Sequence, residues 1–231
     1  MIISHKYKFI FLKTSKTAGT SIEIALSKFC GEKDIITPVS PKDEIIRQNL
    51  GYRGPQNYIS TFREYKFMDW LNFFLKYKNK RKKQYYNHIT ATRTKKILGN
   101  EKWNEYYKFC FVRNPWDRVI SQYFWRTKNK NPKFSKFIKS KHYKDLIKKG
   151  ENIYTINNNI VVDKIFKYEE INESMIKLKK ILNLPDEIKL PITKSNTRKI
   201  KKDYKTFLSN NNRNYIYNTF KKEIKKFNYK Y

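Results

Sequence analysis

Phe9-Ile-Phe-Leu12-Lys13-Thr14-Ser15-Lys16-Thr17-Ala18-Gly19-Thr20-Ser21-Ile22-Glu23 is the stretch on which the fold turns. It opens with four consecutive apolar residues. An apolar run without alternation suits a strand buried on both faces, as in a parallel sheet. A turn of hydroxyl and ammonium groups follows. Gly19 lets the backbone turn tightly or approach a ligand closely. From Ala18 onward, Ile22, Ala25, Leu26 and Phe29 recur at helical spacing. The unit reads as strand, polar turn, helix. Backbone N–H groups at the start of such a helix attract anions, and lysines and hydroxyls surround them here. The plain alternative is an ordinary strand-to-helix connection with solvated lysines. The Walker A pattern is absent, because there is one glycine and the lysine precedes it.

A second unit repeats the design. Phe109 to Val112 is again continuously apolar and leads into Arg113-Asn114-Pro115-Trp116-Asp117-Arg118. Pro115 suits the first turn of a helix and Asn114 can cap it. Val119, Ile120, Tyr123 and Phe124 follow at helical spacing, and Ser121 lies two turns into the helix. Two parallel strands with cationic carboxyl ends can face one ligand at the edge of a sheet. A ligand with two separate phosphate groups fits such a pair.

These paired motifs resemble the PAPS-dependent sulfotransferases, in particular the carbohydrate group that includes the heparan 2-O-sulfotransferases. Ser15-Lys16-Thr17-Ala18-Gly19-Thr20-Ser21 is similar to the family's loop for the 5′-phosphosulfate, with Ser15 where proline is usual. Val112-Arg113-Asn114-Pro115-Trp116-Asp117-Arg118-Val119-Ile120-Ser121-Gln122-Tyr123 is similar to its 3′-phosphate motif. Ile224 to Tyr229 resembles the family's closing segment, and the likeness is weakest between Pro38 and Tyr85.

The resemblance implies an α/β fold: a single domain over residues 1–231, with a P-loop-like central parallel β-sheet flanked by helices. Residues 39–85 would form a variable lid or acceptor-side insertion. It implies PAPS as sulfuryl donor, no metal, and a hydroxyl-bearing acceptor, an anionic glycan among the candidates. Lys16, Thr17, Ala18, Gly19, Thr20 and Ser21 would hold the 5′-phosphosulfate, and Arg113 and Ser121 the 3′-phosphate. Lys194 and Arg198 belong to a basic loop that covers the cofactor in the family. In the family a histidine before a Thr-Ala pair is the catalytic base. His88, before Thr90-Ala91, stands in that place, while His5 and His142 have no such context. Glu23, Glu64 and Asp69 are the alternatives to His88.

Composition adds bounds. The 231 residues carry 42 lysines and ten arginines against 20 acids, a net charge of +32. Such a field attracts anions, nucleic acid included, without specificity. Lysine, Asn, Ile, Tyr and Phe share A/T-rich codons, so the excess is in part compositional. Cys30 and Cys110 fit buried free thiols in a reducing compartment. With no signal-peptide pattern and no apolar run of membrane-spanning length, the expectation is a soluble cytoplasmic protein. No internal repeat and no metal-ligand constellation appears.

The rest of the chain supplies elements. Asp34 to Thr37 suggests a short strand, and residues 38–54 read as loop. Phe67, Trp70, Leu71, Phe74 and Leu75 match an amphipathic helix and lead into the basic run of residues 76–83. Such a stripe is ordinarily core and the run a solvated face. A dock on an anionic membrane surface and a lid over the active site are the other readings. Residues 129–150 read as partly helical and exposed. Residues 160–169 read as a strand, residues 171–182 as a helix ending near Pro185, and residues 204–227 as one or two closing helices. Two rival functions remain: a P-loop nucleotide kinase, which needs a full Walker loop and a magnesium ligand, and a basic nucleic-acid-binding module, for which no recognised motif occurs.

Overall fold

The computed structural model describes residues 1–75, 81–127, 133–193 and 204–231. Among them, strands β1 (Ile2–Ser4), β2 (Phe9–Leu12), β3 (Ile35–Ile36), β4 (Tyr107–Val112) and β7 (Lys164–Lys167) form one sheet in the order β3-β1-β2-β4-β7. β2, β4 and β7 are mutually parallel, with Phe11 beside Phe109 and Phe111 beside Phe166. A small hairpin, β5 (Thr155–Ile156) and β6 (Asn159–Ile160), stands apart.

The continuous apolar runs are explained by burial on both faces. Phe9, Phe11, Phe109, Phe111 and Phe166 face α1 (Gly19–Ser27) and α9 (Ile171–Ile181), through Ile22, Leu26, Met175 and Leu178. The alternate residues Ile10, Leu12, Cys110 and Val112 face Ile89, Ala91 and Trp103, from α4 (Ala91–Leu98), α5 (Asn100–Glu105) and the segment before them. Phe11 and Phe109 stack at 5.4 Å and Phe111 and Phe166 at 5.2 Å, so the sheet's three parallel strands share one aromatic column. Helices α6 (Pro115–Thr127), α7 (Phe134–Ile138), α8 (Lys141–Lys148), α10 (Tyr204–Phe207), α11 (Asn210–Thr219) and α12 (Lys221–Lys226) enclose a further core around Trp116, Tyr123 and Tyr143.

Several expectations are corrected. The sheet is mixed rather than parallel throughout: β1 precedes Phe9 and runs antiparallel to both β2 and β3. Its three residues are too few to show a period in the sequence. Residues 38–54 contain α2 (Pro41–Asn49), with Pro41 in its first turn, Asp43 and Glu44 there too, and Ser40 Oγ accepting from the Asp43 N–H. A loop is the expectation for this stretch, but Pro41, which lacks an N–H to lose, opens the helix. Residues 133–150 are not an exposed face, since Phe137, Ile138, Tyr143 and Leu146 are buried against α6 and α11. Helix α3 (Phe67–Leu75) forms as expected, but none of its residues is buried, so it is not core. The run 160–169 divides between β6 and β7, and the closing segment holds three helices. Cys30 and Cys110 are free and buried.

Candidate active site

β2 and β4 end side by side, and the turns that follow them line one cavity of about 480 Å³. Parallel strands carry both turns to the same edge of the sheet, which is why two distant stretches of sequence meet. Lys16, Thr17, Ala18, Gly19, Thr20, Ser21, His88, Arg113 and Ser121 all line this cavity, so the structure brings these expected residues together. Arg198 and Lys194 lie outside the described residues.

The loop after β2 has an unusual backbone. Its φ is positive at Lys16 (64°) and Ala18 (55°) and at no residue between or beside them. Alternation of hand turns successive N–H groups toward one side and makes a concave anion site. Left-handed backbone costs a non-glycine residue roughly 1–2 kcal/mol, so two such residues in five mark a held conformation. The holding contacts are visible. The Thr14 hydroxyl donates to the Phe111 carbonyl and lies 2.9 Å from the Thr17 hydroxyl. Thr17 is fully buried, with its hydroxyl held against Thr14. The Ser21 hydroxyl is 2.6 Å from that of Thr193.

Gly19 plays a different part from the one expected of it. Its φ is not positive, and it starts α1 rather than making the turn. A Cβ placed there would stand 2.8 Å from Lys13 Cγ. The missing side chain makes room for a buried lysine, while the glycine itself also lines the cavity. Lys13 Nζ donates to Glu23 Oε2 at 2.6 Å, and Glu23 Oε1 accepts from the Met1 amine at 2.9 Å. Burial alone would raise the Glu23 carboxyl, but the Lys13 and Met1 charges outweigh it and hold the group at about 2. Glu23 is therefore a fixed counter-charge inside the protein and has no path to a substrate. Glu64 and Asp69 do not line the cavity either: Glu64 caps a short 3-10 turn, and Asp69 pairs with Lys82 at 2.8 Å.

His88 does reach the cavity. Its Nδ1 lies 2.9 Å from the Lys13 carbonyl, which can only accept, so Nδ1 carries the proton and Nε2 keeps a lone pair. Burial, and then the Lys13 charge, push the ring down to about 3, so it is neutral at ordinary pH. Its own φ is 61°, left-handed again.

Arg113 joins the two turns. Nη1 donates to the Lys16 carbonyl at 2.9 Å, Nε donates to Asp117 Oδ2 at 2.8 Å, and the guanidinium stacks 4.2 Å from the Tyr168 ring. Asn114 Oδ1 accepts from the Trp116 N–H and caps α6, while the Asn114 N–H donates to Glu169. The cavity also receives residues that had not been singled out: Asn87, Trp125, Arg126 and Lys149. Lys149 sits in a lysine-rich run with nothing in the sequence to distinguish it. Trp125 is legible only as the next turn of α6, and its ring lies 5.0 Å from Lys16 Nζ. The lining has five lysines and arginines against the one acid, Asp145, among the described residues. It is built for an anion.

The family model for the sulfotransferase family matches residues 1–230. The chain belongs to the sulfotransferase family. Membership supports sulfuryl transfer as the domain's general chemistry. An uncharacterized protein of Archaeoglobus fulgidus is 34% identical over 110 residues, which is 45% of this sulfotransferase and 92% of that protein. No solved structure matches the chain.

Proposed function

We propose that this sulfotransferase moves a sulfuryl group from PAPS to an acceptor hydroxyl, a carbohydrate hydroxyl being the best candidate. The observation that carries the reading is the meeting of the Lys16–Ser21 loop with Arg113 and Ser121 around one cationic cavity. A donor with phosphates at both ends of its ribose needs two such anion sites at a fixed separation.

In this reading the N–H groups from Thr17 to Ser21, with the Thr20 and Ser21 hydroxyls, hold the 5′-phosphosulfate. Arg113 and Ser121 hold the 3′-phosphate, and Lys16 offsets the charge that builds on the leaving phosphate oxygen. As the acceptor oxygen bonds to sulfur, the bond from sulfur to the phosphate oxygen breaks. The acceptor proton passes to His88 Nε2, and PAP leaves with the electron pair. The neutral ring suits proton acceptance, and the negative donor beside it raises its basicity when bound. Lys194 and Arg198 are further candidate contacts to the nucleotide, and a cytoplasmic setting suits the two buried thiols.

Thermal denaturation with PAP, the product nucleotide, tests this. At about 100 times the dissociation constant, a ligand of the native state alone adds about 2.7 kcal/mol. A higher melting temperature with PAP is expected, and no shift at millimolar PAP would rule the donor out.

A further inference from the structure

Residues 61–75, with residues 81 and 82, leave the body of the protein as an arm. Its base is pinned where Ile59 pairs with Lys83 and the Ser60 N–H donates to the Lys82 carbonyl at 2.9 Å. Arg81 Nη2 adds a bond to the Ser60 carbonyl at 2.8 Å. The described part of the arm has its own small core: Phe62 stacks on Trp70 at 5.3 Å and meets Phe73 edge-on at 5.6 Å. Helix α3 then turns its other apolar residues outward. Phe67 is 80% exposed, Leu75 76% and Phe74 62%, and Leu71 shares their face at helical spacing.

Water is a poor solvent for such a face, and its rim says what covers it. Arg63, Lys66, Arg81 and Lys83, of the same arm and its base, are all exposed, against one exposed acid, Glu64. Asp69, the acid nearest the helix start, is neutralised by Lys82. Aromatic and aliphatic residues ringed by cations suit the boundary between acyl chains and anionic headgroups. A second copy of this chain would bring the same cations against themselves on a molecule of net charge +32, which opposes self-association. We infer that α3 and its basic rim dock this protein on an anionic lipid bilayer, with Phe67, Leu71, Phe74 and Leu75 entering the interface. This surface is separate from the nucleotide cavity and does not depend on its assignment.

The test must separate insertion from the general attraction of a basic protein to negative charge. Full-length protein is sedimented with phosphatidylglycerol-containing vesicles and with pure phosphatidylcholine vesicles at physiological ionic strength. Expected are binding to the former, a blue shift of Trp70 emission and quenching by brominated acyl chains. Trp70→Phe should remove that quenching. Phe67→Asp with Phe74→Asp should weaken vesicle binding by at least about tenfold, with an unchanged melting temperature because neither residue is buried. Equal vesicle binding by that double variant overturns the proposal, since charge alone would then account for it. So does unquenched Trp70 emission on bound vesicles. A dimer in solution that the same double variant dissociates assigns the face to a second copy instead.

Discussion

His88 Nδ1 stands 2.9 Å from the carbonyl of Lys13, the residue whose ammonium is buried against Glu23. One residue thus anchors the floor of the anion loop and fixes which nitrogen of the imidazole faces the cavity. The usual truncation of His88 would confuse two effects, because its backbone is left-handed. Asn tolerates that conformation far better than Ala. We expect His88→Asn to fold, to keep PAP affinity within a few-fold, and to lose about 10²–10⁴ in single-turnover rate with an acceptor hydroxyl. Near-normal turnover would remove His88 as the base.

The same ring makes stability depend on pH. Unfolded, the imidazole takes up a proton near 6.5; folded, it does so only near 3. Between those values the unfolded state holds more protons, so stability falls as pH falls through this window. Melting temperature measured from about pH 7 to about pH 5 should drop more steeply for the wild type than for His88→Asn. Parallel curves would mean that the ring is not held neutral.

Arg113 carries two tasks, and its substitution should show both. Loss of a charge-assisted contact of about 1.5–3 kcal/mol predicts a fall in PAP affinity of about tenfold to a hundredfold or more in Arg113→Ala. The Nη1 bond to the Lys16 carbonyl adds a second effect, since the Lys16–Ser21 loop loses its brace. AMP, which has no 3′-phosphate, should therefore also bind more weakly to Arg113→Ala, by a smaller factor. Calorimetry with both nucleotides checks this. Unchanged AMP affinity would show that the loop stands without Arg113.

Arg118 lies one turn further along α6 and does not reach the cavity. It forms a buried two-pronged pair with Glu223 of α12, at 2.7 and 2.6 Å. Removing one partner leaves a buried charge unpaired, at a cost of about 3–5 kcal/mol. Glu223→Ala should lower the urea midpoint by a matching amount while leaving PAP affinity of the folded fraction intact. A change below about 1 kcal/mol would mean that water reaches the pair.

Much of the fold was legible in the sequence because both cavity-lining turns follow strands buried on two faces. Phe9–Leu12 and Phe109–Val112 announced themselves by continuous apolarity, and the turns by their own chemistry. What escaped was set by distant packing. β1 is too short to show a period, and α2 was hidden by a proline that starts a helix. Tyr143 and Leu146 looked solvated until α8 met α6. Lys149 enters the cavity on that same helix pair. The role of Gly19 could not be read at all, since it depends on where the Lys13 side chain lies. Helix α3 shows the reverse case: its period was plain, but the period does not say whether the apolar face is covered.

The proposed function requires the two turns to bind one nucleotide by both of its phosphates. Calorimetric titration of the wild-type protein with PAP and with AMP, at physiological salt, measures this most directly. The expected result is one site per chain for PAP in the low-micromolar range or tighter, with AMP weaker by about tenfold or more for want of the 3′-phosphate contact. Equal affinity for the two nucleotides, or no saturable PAP binding at millimolar concentration, would contradict two-phosphate binding.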